Sequence, residues 1–332
     1  MNSKLLKYTK KGLYCSQADI YIDPAGKTNR AIITHAHSDH ARRGSDSYLA
    51  HPVTALLMRH RLGSKINVQE LEYGRKVNIN GISISLHPAG HVPGSAQVRL
   101  EGCGEIAVIS GDYKLENDRL STPFEPVKCD VFVTETTFAL PIYKWEPQEI
   151  IYKKINDWWL RNKKNGIVSV IGGYSLGKAQ RILKHLDTST GKIFTHPVIE
   201  DVNEILRDSK FGLPETHRLN ENTAYKELKG NIVIGPPSFT GGGSIKDTGK
   251  YSIGYASGWL KTRKAWGWQS IDIGFALSDH CDWDGLNMAV KLTGAEKVFA
   301  THGFTKQYVK WLRENEISAY ELTDIAAEDK ED

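Results

Sequence analysis

The segment Ala31-Ile32-Ile33-Thr34-His35-Ala36-His37-Ser38-Asp39-His40 constrains this chain more than any other. A short apolar, β-prone run ends by delivering three imidazoles and a carboxylate within six residues. Those side chains suit borderline-soft divalent metals such as zinc. On a turn, His35 and His37 can point at one ion while Asp39 and His40 point at its neighbour. A His-rich turn can also be solvated and inert, but H-x-H-x-D-H directly after a strand is far rarer than a lone histidine. The fold therefore has to present strand ends at an open surface.

The rest of the first 140 residues has the matching texture. Ile20–Ile22 is a β-prone run closed by the turn Asp23-Pro24-Ala25-Gly26. Val77–Leu86 alternates around Asn80-Gly81, a hairpin signal. Gln97–Leu100 and Ile106–Ile109 flank a Gly-rich turn, Val131–Val133 closes the series, and Thr54–His60 has a helical pattern. The segment reads as α/β with much antiparallel pairing. From Trp145 the texture changes: a helical period over Pro147–Asn162, then strand and helix in alternation from Ile167 to Ile234, predict a small parallel-sheet domain of about one hundred residues. Strand–helix–strand resumes through Ile271–Ala276, Leu286–Leu292 and Val298–Thr301.

Composition excludes several classes. With 40% hydrophobic and 25% charged residues, the chain is neither disordered nor membrane-spanning, since no window approaches about 20 uninterrupted apolar residues. The basic N-terminus lacks an apolar segment, so the expectation is a cytoplasmic protein with no secretory signal. A formal charge of +4 permits an anionic partner without demanding one. Cys15, Cys103, Cys129 and Cys281 form no C-x-x-C pair, which argues against a disulfide scaffold or Cys-type zinc finger and for four reduced thiols, mostly buried.

Further ligand types recur after apolar runs. His91 sits in the Gly- and Pro-rich loop His87–Ser95, Asp112 follows Ile106–Ile109, and Asp23 ends the run Ile20–Ile22. Glu135 stands in Thr134-Glu135-Thr136-Thr137-Phe138, His280 in Ser278-Asp279-His280-Cys281-Asp282, and His302 in Thr301-His302-Gly303. Taken singly, each has an ordinary reading as a loop histidine, turn aspartate or cap. Together they place polar ligands repeatedly at strand ends, where open sites are built.

With Asp23, His91, Asp112 and His302, the HAHSDH motif resembles the metallo-β-lactamase fold, a four-layer αββα sandwich. Glu135 in TETTF, His280 in SDHCDWDGL and His302 in THGF resemble the additional motifs of the β-CASP nucleases, which carry a smaller α/β domain inserted into the lactamase fold. GLYCSQADIYIDP, GYSLGKAQRIL and SGWLKTRKAWGW look like the bacterial DNA-ligase-associated exonucleases within that group. The expected organisation is residues 1–142 and 266–332 as the two parts of the metallo-β-lactamase domain and 143–265 as the β-CASP domain.

The resemblance implies two divalent ions, zinc first and manganese as the other choice. His35, His37 and His91 would hold one; Asp39, His40 and His302 the other, with Asp112 bridging. Asp23 would orient a ligand histidine. His280 would stand beside the scissile phosphate with Glu135 as its partner, stabilising the transition state and protonating the leaving oxygen. Asp39, His280 and Glu135 are thus the expected catalytic residues.

Substrate contacts are sought in Trp259–Trp268, where Lys261, Arg263 and Lys264 interleave with three indoles. Cations neutralise phosphates and indoles stack on bases, a mixture suited to a single strand; a solvated helix start with packed tryptophans reads the same way. Lys178, after Gly177 at a helix start, either meets a phosphate or is an exposed helix lysine. Ser238–Ser244 is either a lip on the cleft or an ordinary loop.

The expected activity is a DNA exonuclease of repair, running 5′ to 3′ on single strands, with a DNA ligase or helicase as possible partner. The alternative is an RNA-processing β-CASP ribonuclease, which a histidine at position 302 favours. The roughly thirty residues after His302 leave no room for the additional C-terminal domain common in ribonuclease relatives, so the expectation stays with DNA. A small-molecule hydrolase needs no extended basic–aromatic groove. A dead nucleic-acid-binding subunit would have lost ligands that are all present here.

Overall fold

The computed structural model describes residues 3–241, 249–262 and 271–325. Its strands fall into three sheets, and the chain divides into two compact units: one running to Lys144 and resuming at His280, the other spanning Trp145–Asp279.

The first sheet of the discontinuous unit takes six strands in sequence order: β1 (Leu6–Thr9), β2 (Gly12–Cys15), β3 (Ile20–Ile22), β4 (Arg30–Ile33), β5 (Ser47–Ala50) and β6 (Val68–Glu70), with helix α1 (Pro52–Leu62) between the last two. The pairs from β1 to β3 are antiparallel and those from β3 to β6 parallel. The second sheet begins with β7 (Lys76–Ile79) and β8 (Ile82–Pro88), joined by the expected turn. Asn80 and Gly81 have φ of 51° and 84°, the left-handed pair that matches the twist of the flanking strands. It continues through β9 (Ala96–Gly102), β10 (Glu105–Ile109) and β11 (Val131–Thr136).

The inserted unit carries α2 (Gln148–Lys164), β12 (Val168–Gly172), α3 (Lys178–Lys184), β13 (Ile193–Thr195), α4 (Pro197–Asp208), β14 (His217–Arg218), α5 (Tyr225–Leu228), β15 (Ile232–Gly235), α6 (Pro237–Gly241), β16 (Tyr251–Ala256) and β17 (Ile273–Phe275). Its six-stranded sheet, ordered β14-β13-β15-β12-β16-β17, is parallel throughout, as strand–helix alternation requires. Helix α2 buries Ile151, Tyr152, Ile155, Trp158 and Trp159, one stripe at helical spacing. The indole N–H of Trp158 donates to Ser252 Oγ at 3.1 Å.

The chain then returns to the first unit with α7 (Trp283–Thr293), β18 (Lys297–Gly303), α8 (Thr305–Glu314) and β19 (Ser318–Glu321). Strands β18 and β19 complete the second sheet, whose order is β19-β18-β11-β10-β9-β8-β7. Alternation along its strands sorts side chains to two faces. Ala107, Ile109, Val131, Val133 and Phe299 join Leu6, Leu13, Ile20, Ile32 and Leu49 of the first sheet in one buried cluster. Val108, Phe132 and Val298 face the other way, onto Leu286, Ala289 and Val290 of α7 and Tyr308, Val309 and Leu312 of α8.

One expected boundary moves. The second junction, placed at 265/266, falls outside the described residues, and the inserted unit runs on to Asp279. The cause is pairing: β17 adds to β16 through Gly254↔Ile273 to Ala256↔Phe275. Cys15, Cys129 and Cys281 are buried free thiols and Cys103 is an exposed one. Among the described residues no helix is long and apolar enough to cross a membrane.

Candidate metal centre

Strands β4, β8, β10, β11 and β18 end on one edge of their sheets, and the residues that follow or finish them converge. After β4, the backbone turns at once: Ala41 N donates to His37 O at 2.8 Å and His40 N to the same oxygen at 3.2 Å. After β8, the His91 loop is held by Ser95, whose Oγ accepts from His91 N at 3.1 Å and Val92 N at 3.2 Å. Gly90 is needed there, since a Cβ in its place, at φ +73°, would sit 2.2 Å from Lys114 O. Asp112 follows β10. His302 projects from a bulge: Glu135 pairs with Thr301 and Thr136 with Gly303, so His302 is the extra residue, at φ 54°, which re-aims its side chain.

His35, His37, His91 and Asp112 each offer a ligand atom, and these atoms all lie within 4.8 Å of one another. Nε2 of His35 and of His91 stand 3.0 and 3.2 Å from His37 Nδ1. Ligands held about 2.1 Å from a tetrahedral ion are separated by roughly 3.4 Å, so this donor set fits one divalent cation. Asp112 Oδ2 is 3.6 Å from His35 Nε2, 3.7 Å from His91 Nε2 and 3.5 Å from His40 Nε2. A single carboxylate oxygen therefore faces both halves of the proposed ligand set.

In the second half, His40 Nε2 lies 3.8 Å from Asp39 Oδ2, and the His302 ring centroid is 5.7 Å from that of His40. Asp39, His40 and His302 line one cavity together with Asp23 and Arg42. Asp39 is exposed and His40 buried.

The electrostatics match a site built for cations. Burial would raise the Asp112 carboxyl, but the imidazoles of His40, His280 and His35 outweigh it and hold it well below the usual range. Burial pushes His35 well down, with the His40 imidazole adding to the effect. For His40, burial pulls down, yet the carboxylates of Asp112 and Asp23 win and raise it well above the ordinary histidine value.

Beside this cluster stands a second one of Asp112, Glu135 and His280. His280 Nδ1 lies 2.8 and 2.9 Å from the two Glu135 oxygens. Glu135 is buried and further accepts from Tyr113 N at 3.0 Å and from Thr137 Oγ1. It is fully engaged in holding His280, whose ring lies 4.7 Å from that of His91.

The substrate contacts fare differently. Lys178 is not at a surface. It is 3% exposed, and its ammonium is 2.8 Å from Asp279 Oδ2 and 3.0 Å from Leu277 O. Asp279 also pairs with Arg181 at 2.9 Å, so Lys178 belongs to a buried ion cluster and is withdrawn as a phosphate contact. Lys261 is exposed on a 3-10 turn, Gly258–Lys261, beside half-exposed Trp259. Arg263 and Lys264, with Trp266 and Trp268, lie outside the described residues. Ser238–Gly241 belongs to α6.

Two neighbours of the cluster escaped sequence reasoning. Arg42 reaches the cavity with its Nε donating to Asp39 O at 3.2 Å; the pair Arg42-Arg43 directly after the histidine motif was the available signal. Thr34, the hydroxyl before His35, bonds Asp23 at 2.6 Å.

No protein-family model matches the chain. A protein named "Probable DNA ligase" from Opitutus terrae is 29% identical over 313 residues, covering 94% of this chain and 30% of its own length. The cleavage and polyadenylation specificity factor subunit 3 of Dictyostelium discoideum is 30% identical over 36% of this chain and 16% of its own length. An endoribonuclease ysh1 of Aspergillus fumigatus is 28% identical over 53% of this chain and 21% of its own. The chain thus spans less than a third of each of these relatives. A crystal structure of a protein of unknown function from Enterococcus faecalis V583 shares the fold, with a TM-score of 0.61 at 11% identity over 87% of this chain and 78% of that one.

Proposed function

We propose that the protein is a dinuclear metal-dependent phosphodiesterase that degrades single-stranded DNA from a 5′ end in repair. The observation that carries the reading is the position of Asp112 Oδ2, 3.5–3.7 Å from three imidazole nitrogens. His35, His37, His91 and Asp112 would hold one ion, and Asp39, His40, His302 and the same Asp112 the other, zinc before manganese. Ions bound there supply Lewis-acid polarisation of phosphoryl oxygens and a water-derived nucleophile at neutral pH.

The chain's own residues do the rest. Glu135 takes the Nδ1–H of His280 with both oxygens at 2.8 and 2.9 Å, which orients the ring and supports positive charge on it. His280 is then the proton donor to the leaving oxygen, and Glu135 a positioning residue. Asp23 orients His40 through Nδ1 at 2.7 Å. Arg42, at the cavity mouth, offers a cation to a neighbouring phosphate.

DNA is favoured because the relative matching 94% of this chain is named a DNA ligase; that relative also motivates a ligase as partner. An RNA-processing role is the second reading, favoured by the endoribonuclease name of a relative matching 53% of the chain. The inserted unit is proposed as the β-CASP domain, and the two sheets with their flanking helices as the αββα sandwich.

The test is cleavage of matched, end-labelled DNA and RNA strands by wild type, Asp39→Ala/His40→Ala and His280→Ala, with zinc or manganese added back singly. The expected result is a ladder from single-stranded DNA carrying a 5′-phosphate. It should be absent in the double variant and slowed about 10²- to 10⁴-fold in His280→Ala, whose metal content stays at the wild-type level. Preferential cleavage of RNA moves the protein to the second reading. No cleavage of either strand removes both.

A further inference from the structure

We infer that Thr34 is a positioning residue of the metal centre: its hydroxyl fixes the tautomer of His35 and ties His35 and His40 to one oxygen of Asp23. The inference rests on the metal-centre reading above and adds a residue to it.

The argument is an accounting of hydrogens. The Thr34 hydroxyl has one proton and lies 2.6 Å from Asp23 Oδ2. A carboxylate oxygen only accepts, so the proton is committed there. The same hydroxyl is 3.1 Å from His35 Nδ1. Having no second proton to give, it can only accept, so His35 carries its hydrogen on Nδ1. Nε2 is left as a bare lone pair, facing His37 Nδ1 at 3.0 Å and Asp112 Oδ2 at 3.6 Å.

Asp23 Oδ2 also takes His40 Nδ1–H at 2.7 Å, which exposes the lone pair of His40 Nε2 to Asp112 in the same way. Two imidazoles assigned to two different ions are therefore oriented by one carboxylate oxygen, one directly and the other through Thr34. The arrangement is locked from both sides. Asp23 Oδ1 accepts from Thr34 N at 2.8 Å, and Thr34 is 1% exposed. Against its other side lies Gly111, where a Cβ would stand 2.7 Å from Thr34 Cβ. Solvent has no room to replace the hydroxyl.

Valine keeps the shape of threonine and removes only the hydroxyl, and Thr34→Ser restores it. Wild type and both variants would be compared in two measurements. The first is competition for zinc against a chromophoric chelator. The second is nitrogen NMR of the imidazoles in metal-free protein.

The expected result for Thr34→Val is a loss of about 10- to 100-fold in affinity for one ion, that of His35. The ion on His40 should stay within a few-fold of wild type, and Thr34→Ser should recover the loss. The NMR should show His35 as the Nδ1–H tautomer in wild type and as a mixture in Thr34→Val. Wild-type affinities with an unchanged tautomer in Thr34→Val would overturn the inference. So would equal losses at both ions with a lowered melting temperature, the mark of a threonine that only packs. A wild type that binds no zinc instead defeats the metal-centre reading, while the tautomer measurement still decides whether Thr34 sets His35.

Discussion

Glu200 shows how a single buried carboxylate is turned into stability. It is 4% exposed and accepts from Thr216 at 2.6 Å, Arg207 at 2.9 Å and Asn203 at 3.0 Å, with Thr195 as a further donor. Burial alone would raise its pKa, but those donors outweigh it and hold it at about 2. A depressed folded-state value contributes stability that is present above the unfolded value near 4.5 and is lost as pH falls toward 2. Glu200→Gln should therefore cost about 3 kcal/mol at neutral pH and progressively less below pH 4.5. Denaturant unfolding of both proteins across that range checks this; a difference that stays constant with pH would show that the charge is not what stabilises. Lys178 carries the opposite lesson. A glycine–lysine helix start reads identically whether the ammonium meets solvent or a carboxylate far along the chain, and only folding brings Asp279 to it. His35, His37 and Asp39 stand out in the sequence because they fall within five positions, whereas the approach of His91 to His37 and of Asp112 to His35 shows only in the folded chain. The pairing of Thr34 with Asp23 needed two strands laid side by side.

The strand ends were readable where local chemistry dictates them. Asn80-Gly81 demands a left-handed turn, and alternation in Val77–Leu86 marks the strands on either side of it. The hairpin of β1 and β2 was not read, because LKYT and GLYC are too short to show a period. The bulge at His302 was equally silent, since an unpaired residue leaves no mark until both strands are in register. Its chemistry is specific nonetheless. Gly303 has φ +76°, and a Cβ there would sit 2.4 Å from Thr136 O. Gly303→Ala should destabilise by about 1–3 kcal/mol and swing His302 away from His40. Metal titration should then show a weakened second ion and a first ion of wild-type affinity. An unaltered second affinity would mean that the bulge does not aim His302.

Two units give two separable responses. Every proposed metal ligand lies in the discontinuous unit, so a chelator should loosen that unit alone. Hydrogen exchange with and without chelator should show lost protection at Thr34–Ala41, Gly90–Ser95 and Ser110–Tyr113, while the parallel strands β12, β13 and β15 keep theirs. Protection lost evenly along the chain would contradict a local centre. The existence of the insertion was readable from the change of texture at Trp145. Its far boundary was not, because β17 belongs to the insertion by pairing with β16 and has nothing in its own residues to say so. The interruption also sets an order of manufacture. Strand β18, which pairs with β11 and separates it from the edge strand β19 in the second sheet, is translated only after the whole inserted unit, as are His280 and His302. A ribosome that stalls anywhere within the insertion leaves a fragment lacking the last two strands of that sheet and both late histidines. Half-made chains therefore lack two residues of the proposed site, whatever its chemistry.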